Sequence, residues 1–193
     1  MAAGLVALLA GCASTAATIS ASPRSLVLRL SQLPYPGFTS ESGPSYTGVI
    51  SNKRAAGGSA HRLAAYLAAG REGGYLASFQ RQVSPQQAVG PIVIQSSAAR
   101  FAGASGAGKG LQLLAAQAKS SGYRAISTGH LGQEVRGFFS QRTASGTEYE
   151  SYLVVWRQAN VVNEVQAEGN AATMDLTYAL DLARLQQDNE VTP

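Results

Sequence analysis

Two histidines, His61 and His130, and abundant serines supply the residue types from which a nucleophile and its general base are built. No Gly-x-Ser-x-Gly segment is present to expose a serine at a strand-to-helix turn. His61 falls on the polar side of a predicted helix, whereas His130 lies in a loop between Gly129 and Gly132. Because loops carry functional residues more often than helices do, His130 is the better candidate. The pattern predicts no catalytic constellation; the alternative is a small envelope hydrolase or lipid-handling enzyme that uses His130.

The glutamate residues give no stronger indication of a catalytic site than the histidines do. Glu148 and Glu150 share one face of a predicted strand, because residues two apart in a strand point the same way. At a solvated sheet edge, such a pair is ordinary surface charge. Glu164 has no such neighbour, since Gln166 occupies the position two residues on, so a glycosidase pair is not indicated. The histidines are far apart with no cysteine near them, and we predict neither a metal site nor a cofactor.

A glycine-rich segment, Gly103 to Gly110 (GASGAGKG), has nearly the spacing of a phosphate-binding loop between a strand and a helix. Gly110 stands where the magnesium-binding Ser or Thr belongs. No apolar strand ends in the aspartate that a nucleotide site needs, since the run 152–156 is followed by Arg157. We interpret the segment as a flexible connection whose backbone amides offer no more than a loose anion site.

Cys12 is the only cysteine, and it ends a short apolar run. That run is too short to cross a membrane, which takes about 20 residues, and it fits the apolar region of a secretory signal. The residues Leu9-Ala10-Gly11-Cys12 resemble the bacterial lipobox. The resemblance implies that Cys12 carries a thioether-linked diacylglyceryl group and that the chain is cleaved before it. No Lys or Arg precedes Arg24, so we expect the signal to be truncated at its N-terminus.

The lipobox resemblance implies a location as well as a modification. It places the mature protein on the extracytoplasmic face of the cell membrane, held through acyl chains such as palmitate on Cys12. With Cys12 acylated, no thiol remains for a disulfide. The positive charges, net +4, are scattered along the chain, so we expect no nucleic-acid partner.

The chain divides into four parts. Hydrophobic residues make up 45% of it, which is ordinary for a folded domain. The predicted parts are a signal peptide (1–11), the lipidated Cys12 with a flexible tether (12–25), one domain (26–188) and a polar tail (189–193).

Hydrophobic periodicity predicts six strands and three helices in the order β-α-β-β-α-β-β-β-α. The predicted strands are 26–30, 75–81, 91–101, 133–142, 147–157 and 160–168. The predicted helices are 60–72, 109–121 and 172–187. Hairpin turns at Ser145-Gly146 and Gln158-Ala159 indicate antiparallel pairing. The predicted fold class is therefore α+β: an antiparallel sheet of about six strands covered on both faces by three helices, an α/β sandwich.

This order of elements, with the segment from Trp156 to Val162 (WRQANVV) before a terminal helix, resembles the compact sandwiches of the PsbP-like type. Several bacterial surface lipoproteins carry such domains. We therefore expect a non-enzymatic, lipid-anchored envelope protein with a binding or assembly domain. Its ligand is unknown from the sequence; an apolar ligand, another envelope protein and a role as an accessory subunit of a membrane complex remain open.

The lipobox interpretation is testable by a single substitution. Cys12→Ala removes the thiol that accepts the lipid, so we expect the protein to leave the membrane fraction. Fractionation of cells followed by immunoblotting checks this, with Ser14→Ala as the matched control. Cys12→Ala protein that stays in the membrane fraction would refute the lipobox.

Overall fold

The computed structural model describes residues 18–43, 45–84 and 87–191. This part of the chain folds into one sheet of eight strands with five α-helices, so the α+β class and the antiparallel sheet are confirmed. The sheet order is β1-β3-β4-β8-β7-β6-β5, and β2 pairs with β3 beside β1. Cys12 and the signal segment lie outside the described residues.

The strands are bounded as follows: β1 Phe38–Ser40, β2 Gly48–Ile50, β3 Arg71–Arg81, β4 Pro91–Phe101, β5 Arg124–Ile126, β6 Glu134–Ala144, β7 Thr147–Gln158 and β8 Val161–Asn170. The helices are α1 Pro23–Leu26, α2 Asn52–Ala55, α3 Ala60–Ala68, α4 Ala104–Ser120 and α5 Leu176–Val191. A 3₁₀ turn spans Leu30–Gln32.

The predicted first strand, 26–30, is wrong. Pro23 opens the short helix α1, because its fixed φ suits the first turn of a helix and its missing N–H is not needed there. The chain then runs extended into the 3₁₀ turn. Leu26, Val27 and Leu28 are nevertheless buried. The apolar run therefore marked a buried segment correctly, but burial alone does not distinguish a strand from other buried backbone.

The predicted totals of six strands and three helices are too low. The three-residue strands β1, β2 and β5 pair at the margins of the sheet. Of these, β1 and β5 were not predicted, whereas β2 lies within 46–50, where the sequence leaves a short strand open as an alternative to a loop. Three residues are too few to show an alternating pattern. The predicted helix 60–72 ends at Ala68, and Gly73-Gly74 lies inside β3. Gly70, with φ +70°, makes the turn between them, a conformation that glycine adopts without strain.

The two long hairpins of the sheet have two-residue turns that contain a glycine or an asparagine. Ser145 and Gly146 both have positive φ and join β6 to β7, as predicted. The second turn is Ala159-Asn160, one residue later than predicted. The side chain of Asn160 accepts from the Ile19 N–H (2.7 Å) and donates to the Phe101 carbonyl (3.1 Å), which ties the turn to its neighbours.

Both faces of the sheet are covered. On one face, α5 and α1 pack over a core that contains Trp156, Val154 and Ile94. On the other face, α4 packs over a smaller core that contains Phe101, Phe138 and Val155. The central strand β8 is covered on both faces at its start, whereas Glu164, Gln166 and Glu168 on the α4 face are half-buried.

The described ends of the chain are part of the folded unit. Ile19 packs against the larger core and hydrogen-bonds Asn160, and the carbonyl of Ser20 accepts from Arg100 (3.0 Å). At the other end, Asn189 donates to the Val27 carbonyl (3.1 Å) within the last turns of α5. The fold thus extends beyond the predicted limits of 26 and 188, into the segments predicted as tether and tail.

A buried polar network holds α5 on the sheet. Gln186 is fully buried; its side chain accepts from Ser96 Oγ (2.6 Å) and donates to the Ser97 carbonyl (2.9 Å) and Asn163 Oδ1 (3.3 Å). Ser96 Oγ in turn accepts from the Leu28 N–H (2.8 Å). The network connects α5, the N-terminal segment and the two central strands, β4 and β8.

Gln186→Met should therefore weaken the fold. It leaves the Asn163 and Ser97 oxygens without their buried donor, and we expect the free energy of unfolding to fall by about 2–4 kcal/mol. Gln187→Met, on the next, half-buried position of α5, is the control and should change stability by about 0.5 kcal/mol or less. Urea denaturation measures both; equal effects would show that the network does not stabilise the fold.

Candidate ligand-binding site

A half-open pocket of about 220 Å³ lies on the α4 side of the sheet, over β3, β4 and β8. Helices α2 and α3 contribute one wall and α4 contributes another. We call it the Glu164 pocket. Its charged or titratable side chains are Arg54, Tyr66, Arg71 and Glu164. Gln95, Ser97 and Gln117 add neutral polar groups, and Ile50, Leu76, Phe101, Leu114 and Val162 are among the apolar lining residues.

Arg71 is the first residue of β3 and is only 6% exposed. Its Nη1 donates to the Ile50 carbonyl (3.1 Å) and to Asn52 Oδ1 (2.8 Å), and Asn52 returns a hydrogen bond to the Arg71 carbonyl (2.9 Å). Nε and Nη2 donate to no described residue, and Arg71 forms no ion pair in the described part of the chain. Burial lowers the pKa of Arg71, because desolvation disfavours the charged form.

Gly74 makes room for this guanidinium. A side-chain carbon at Gly74 would lie 2.7 Å from Arg71 Nη2 and 2.7 Å from the Ala98 carbonyl oxygen. Gly74 therefore allows a buried cation to lie against the sheet.

Tyr66, on α3, packs against this cation. The Arg71 guanidinium carbon lies 5.5 Å from the centre of the Tyr66 ring, a cation–π contact. Tyr66 is 2% exposed, and desolvation raises its pKa. Arg71 lowers that pKa and Glu164 raises it, so both charges act on the same ring.

Glu164 lies on β8, which is separated from β3 by β4 in the sheet. It is opposite Ser97 in the β4–β8 pair and opposite Val155 in the β7–β8 pair. Its carboxyl group accepts no hydrogen bond and forms no ion pair with any residue in the described ranges. Burial raises the pKa of Glu164 from 4.5 to about 7.

One neutral group in the pocket is also unpaired. The buried Oε1 of Gln117, on α4, has no hydrogen-bond partner. A buried acceptor without a donor costs about 1–3 kcal/mol. The pocket therefore combines a cation, a carboxyl group and an amide oxygen that the folded chain leaves unsatisfied.

His61 and His130, the catalytic candidates, lie elsewhere and are exposed. His130 lines a separate cleft of about 450 Å³ with Ser127, Lys119 and Arg136. The residues that line this cleft include no Asp or Glu to orient the imidazole. A serine–histidine–acid arrangement is therefore not assembled around His130 in the described structure.

The glycine-rich segment is helical rather than a loop, which corrects the predicted helix start at 109. Gly103 precedes the first turn of α4, and the Ala107 N–H already bonds the Gly103 carbonyl (3.0 Å). A side-chain carbon at Gly106 would come within 2.1 Å of the Ala69 carbonyl oxygen, and one at Gly110 within 2.2 Å of the Phe101 ring. These two glycines let α4 approach its neighbours closely; the amides from Ala107 onwards are used within the helix.

The paired carboxylates do not form a site in the described structure. Glu148 is exposed, and Glu150 accepts from the Tyr152 hydroxyl (2.9 Å). The Glu164 pocket was missed by sequence reasoning. Glu164 was set aside because its neighbour two residues on is Gln166, whereas the fold places it in one pocket lining with Tyr66 of α3 and Arg71 of β3.

No three His, Cys, Asp or Glu side chains in the described ranges stand close enough together to hold a metal ion. None of the described helices combines the length and the hydrophobicity needed to span a membrane.

Comparison with protein-family models and with curated sequences found no match. The fold is similar to that of the extracellular domain of PknH from Mycobacterium tuberculosis, with a TM-score of 0.51 and 14% sequence identity. The similarity covers 87% of this chain and 94% of that domain. At this identity, the similarity concerns the fold; the resemblance to PsbP-like domains stays a prediction.

The raised pKa of Glu164 predicts how stability depends on pH. The folded state disfavours the ionised carboxyl, so the free energy of unfolding should fall as the pH rises from 4.5 through about 7. Glu164→Gln cannot ionise, and above about pH 8 we expect it to be more stable than the wild type by about 1–3 kcal/mol.

Urea denaturation at about pH 5 and about pH 8.5 measures this difference. Burial also raises the pKa of Glu190, to about 7. The free energy of unfolding of Glu164→Gln should therefore still fall with pH, but less steeply than that of the wild type. Glu168→Gln is the control, because Glu168 lies on the same strand but pairs with Arg142 (2.6 Å) outside the pocket. A Glu164→Gln profile parallel to that of the wild type would show that Glu164 titrates normally.

Proposed function

We propose that this protein is a lipid-anchored envelope protein whose α+β domain binds a small polar ligand in the Glu164 pocket without catalysing a reaction. The observation that carries the proposal is the set of polar groups in the pocket that have no partner among the described residues: Nε and Nη2 of Arg71, the half-buried carboxyl group of Glu164 and the buried Oε1 of Gln117. Folded proteins pair such groups, because each costs free energy when left alone. A ligand that pairs them would recover that free energy.

The pocket favours a polar ligand over the apolar ligand that the sequence left open. Charged and amide groups from four elements, α2, α3, α4 and the sheet, converge on a volume of about 220 Å³. Ligand sites typically use a few such convergent polar groups on an apolar lining. The large apolar side chains that are exposed, such as Leu30, Leu67 and Val89, are distributed over separate elements and loops, which gives less support to a protein-docking role.

Binding without catalysis is favoured by the composition of the pocket. Its lining contains Ser97 but no histidine or lysine that would act as a base toward it. Glu164 accepts no hydrogen bond from Ser97, its cross-strand neighbour, or from a histidine in the described structure. The groups present are suited to holding a ligand.

The proposed location of the domain is the extracytoplasmic side of the membrane. The similar fold of the PknH domain belongs to an extracellular domain, which supports the same side of the membrane here. Acylation of Cys12 would anchor the domain, with about 0.8 kcal/mol for each buried CH₂. Because only six residues separate Cys12 from Ile19, the folded domain would start within about 25 Å of the lipidated cysteine.

Filling the pocket tests the proposal. Ser97→Phe places a ring among the pocket groups, whereas Ser140→Phe places one on β6 outside the pocket. Melting temperatures are measured with a panel of amino acids, sugars, polyols and nucleosides. We expect at least one compound to stabilise the wild type and Ser140→Phe, by about 2.7 kcal/mol at about 100 times its Kd, and to leave Ser97→Phe unchanged.

Stabilisation that persists in Ser97→Phe would refute the Glu164 pocket as the binding site. A panel without any stabilising compound would refute binding of a small polar ligand. Circular dichroism of each variant shows that the fold is kept.

A further inference from the structure

The Glu164 pocket holds two charges of opposite sign that do not neutralise each other. Arg71 and Glu164 both line the pocket, yet neither forms an ion pair with the other or with any residue in the described ranges. Both charges act on the pKa of Tyr66, which Arg71 lowers and Glu164 raises. In most proteins a buried charge is paired, because the free-energy penalty of desolvation is several kcal/mol for each ion.

The free edge of Arg71 suits a carboxylate. Its Nη1 is occupied by Ile50 and Asn52, which fixes the plane of the guanidinium. The remaining Nε and Nη2 form the parallel pair of donors that a carboxylate accepts in a bidentate manner. Nη2 itself lies against the backbone at Gly74, in the space that a side-chain carbon would occupy.

The opposite side of the pocket suits a hydrogen-bond donor with a positive charge. Glu164 offers carboxylate oxygens, and Gln117 offers a buried amide oxygen without a donor. An ammonium group carries three N–H donors and would pair with both. An ammonium near Glu164 would also stabilise the ionised carboxyl that burial disfavours.

We infer that the ligand of this pocket is a small zwitterion, of the class of free α-amino acids, with its carboxylate on Arg71 and its ammonium group on Glu164. This inference rests on the proposed function of the same pocket. A ligand with only an ammonium group would leave Arg71 unpaired, and one with only a carboxylate would leave Glu164 and Gln117 unpaired. A zwitterion pairs both ends within one molecule, and an amino acid fits a volume of about 220 Å³.

Calorimetric titration of the purified domain at about pH 7.5 with free and blocked amino acids tests the inference. The probes are glycine, L-alanine, L-serine and L-glutamine, with N-acetyl-L-alanine, L-alaninamide, glycerol and glucose for comparison. We expect at least one free amino acid to bind. Blocking its amine or its carboxylate should weaken binding by about tenfold or more, the loss of one charge-assisted contact.

Variants assign each end of the ligand. Glu164→Gln should reduce the preference for the free amino acid over its N-acetyl form and keep the preference over its amide. Arg71→Gln should reduce the preference for the free amino acid over its amide and keep the preference over its N-acetyl form. Glu168→Gln, on the same face of β8, should change neither preference. Because Arg71 also bonds Ile50 and Asn52, its variant requires a folding check; if it does not fold, the blocked ligands still test the carboxylate end.

Two results would overturn the zwitterion. Equal affinity for free and blocked forms would show that the charges do not select the ligand. Binding of glycerol or glucose, with none of any amino acid, would also overturn it while leaving a polar ligand site in place. If none of the probes binds, the inference falls, and the Ser97→Phe panel decides separately whether the pocket binds anything.

Discussion

Strand β8 lies in the middle of the sheet and places two adjacent polar residues, Asn163 and Glu164, on opposite faces. Both faces are covered, so each side chain needs partners or lowers the stability of the fold. Asn163 has them: it accepts from Gln186 and donates to Glu190. Glu164 has none in the described structure. The same strand therefore carries a hydrogen-bonded amide on one face and a carboxyl group without a hydrogen bond from any described residue on the other.

The Asn163 face of β8 holds the fold together, whereas the Glu164 face lines the proposed binding pocket. The Asn163 side links α5 and the N-terminal segment to the sheet through Gln186 and Ser96. The Glu164 side keeps an opening between α4 and the α2–α3 pair, where Arg71 is also left without a counter-charge. Complete burial of that opening by apolar side chains would stabilise the domain. Its polar lining is explained more simply by a ligand than by packing.

The sequence predicted the large elements of the fold well. The bounds of β4 match the predicted 91–101, and the turn at Ser145-Gly146 is in place, because long alternating runs and glycine turns carry local signals. The short strands β1 and β5 and helix α1 were missed, since their structure depends on pairing and burial rather than on local pattern. The glycines of α4 were taken for a loop, whereas close approach to Ala69 and Phe101 requires them in a helix.

The Glu164 pocket could not be predicted from local sequence patterns either, because it too depends on how distant elements pack. Arg71, Tyr66, Gln117 and Glu164 come from four elements, and only Tyr66 and Arg71 are close in sequence, so no spacing rule joins the set. Glu164 was judged by its neighbour two residues on, yet its surroundings are set by strand order. The lipobox, in contrast, is a contiguous motif that the sequence alone presents, and it lies outside the described residues.

The state of the Glu164 carboxyl group tests the account most directly. Its ¹³C shift, assigned by comparison with Glu164→Gln, can be followed against pH alone and with saturating glycine, L-alanine, L-serine or L-glutamine. The account predicts a pKa of about 7 in the free domain and a clear decrease when an amino acid binds, because the ammonium group stabilises the ionised form. A pKa near 4.5 in the free domain, or one that no amino acid lowers, would contradict it.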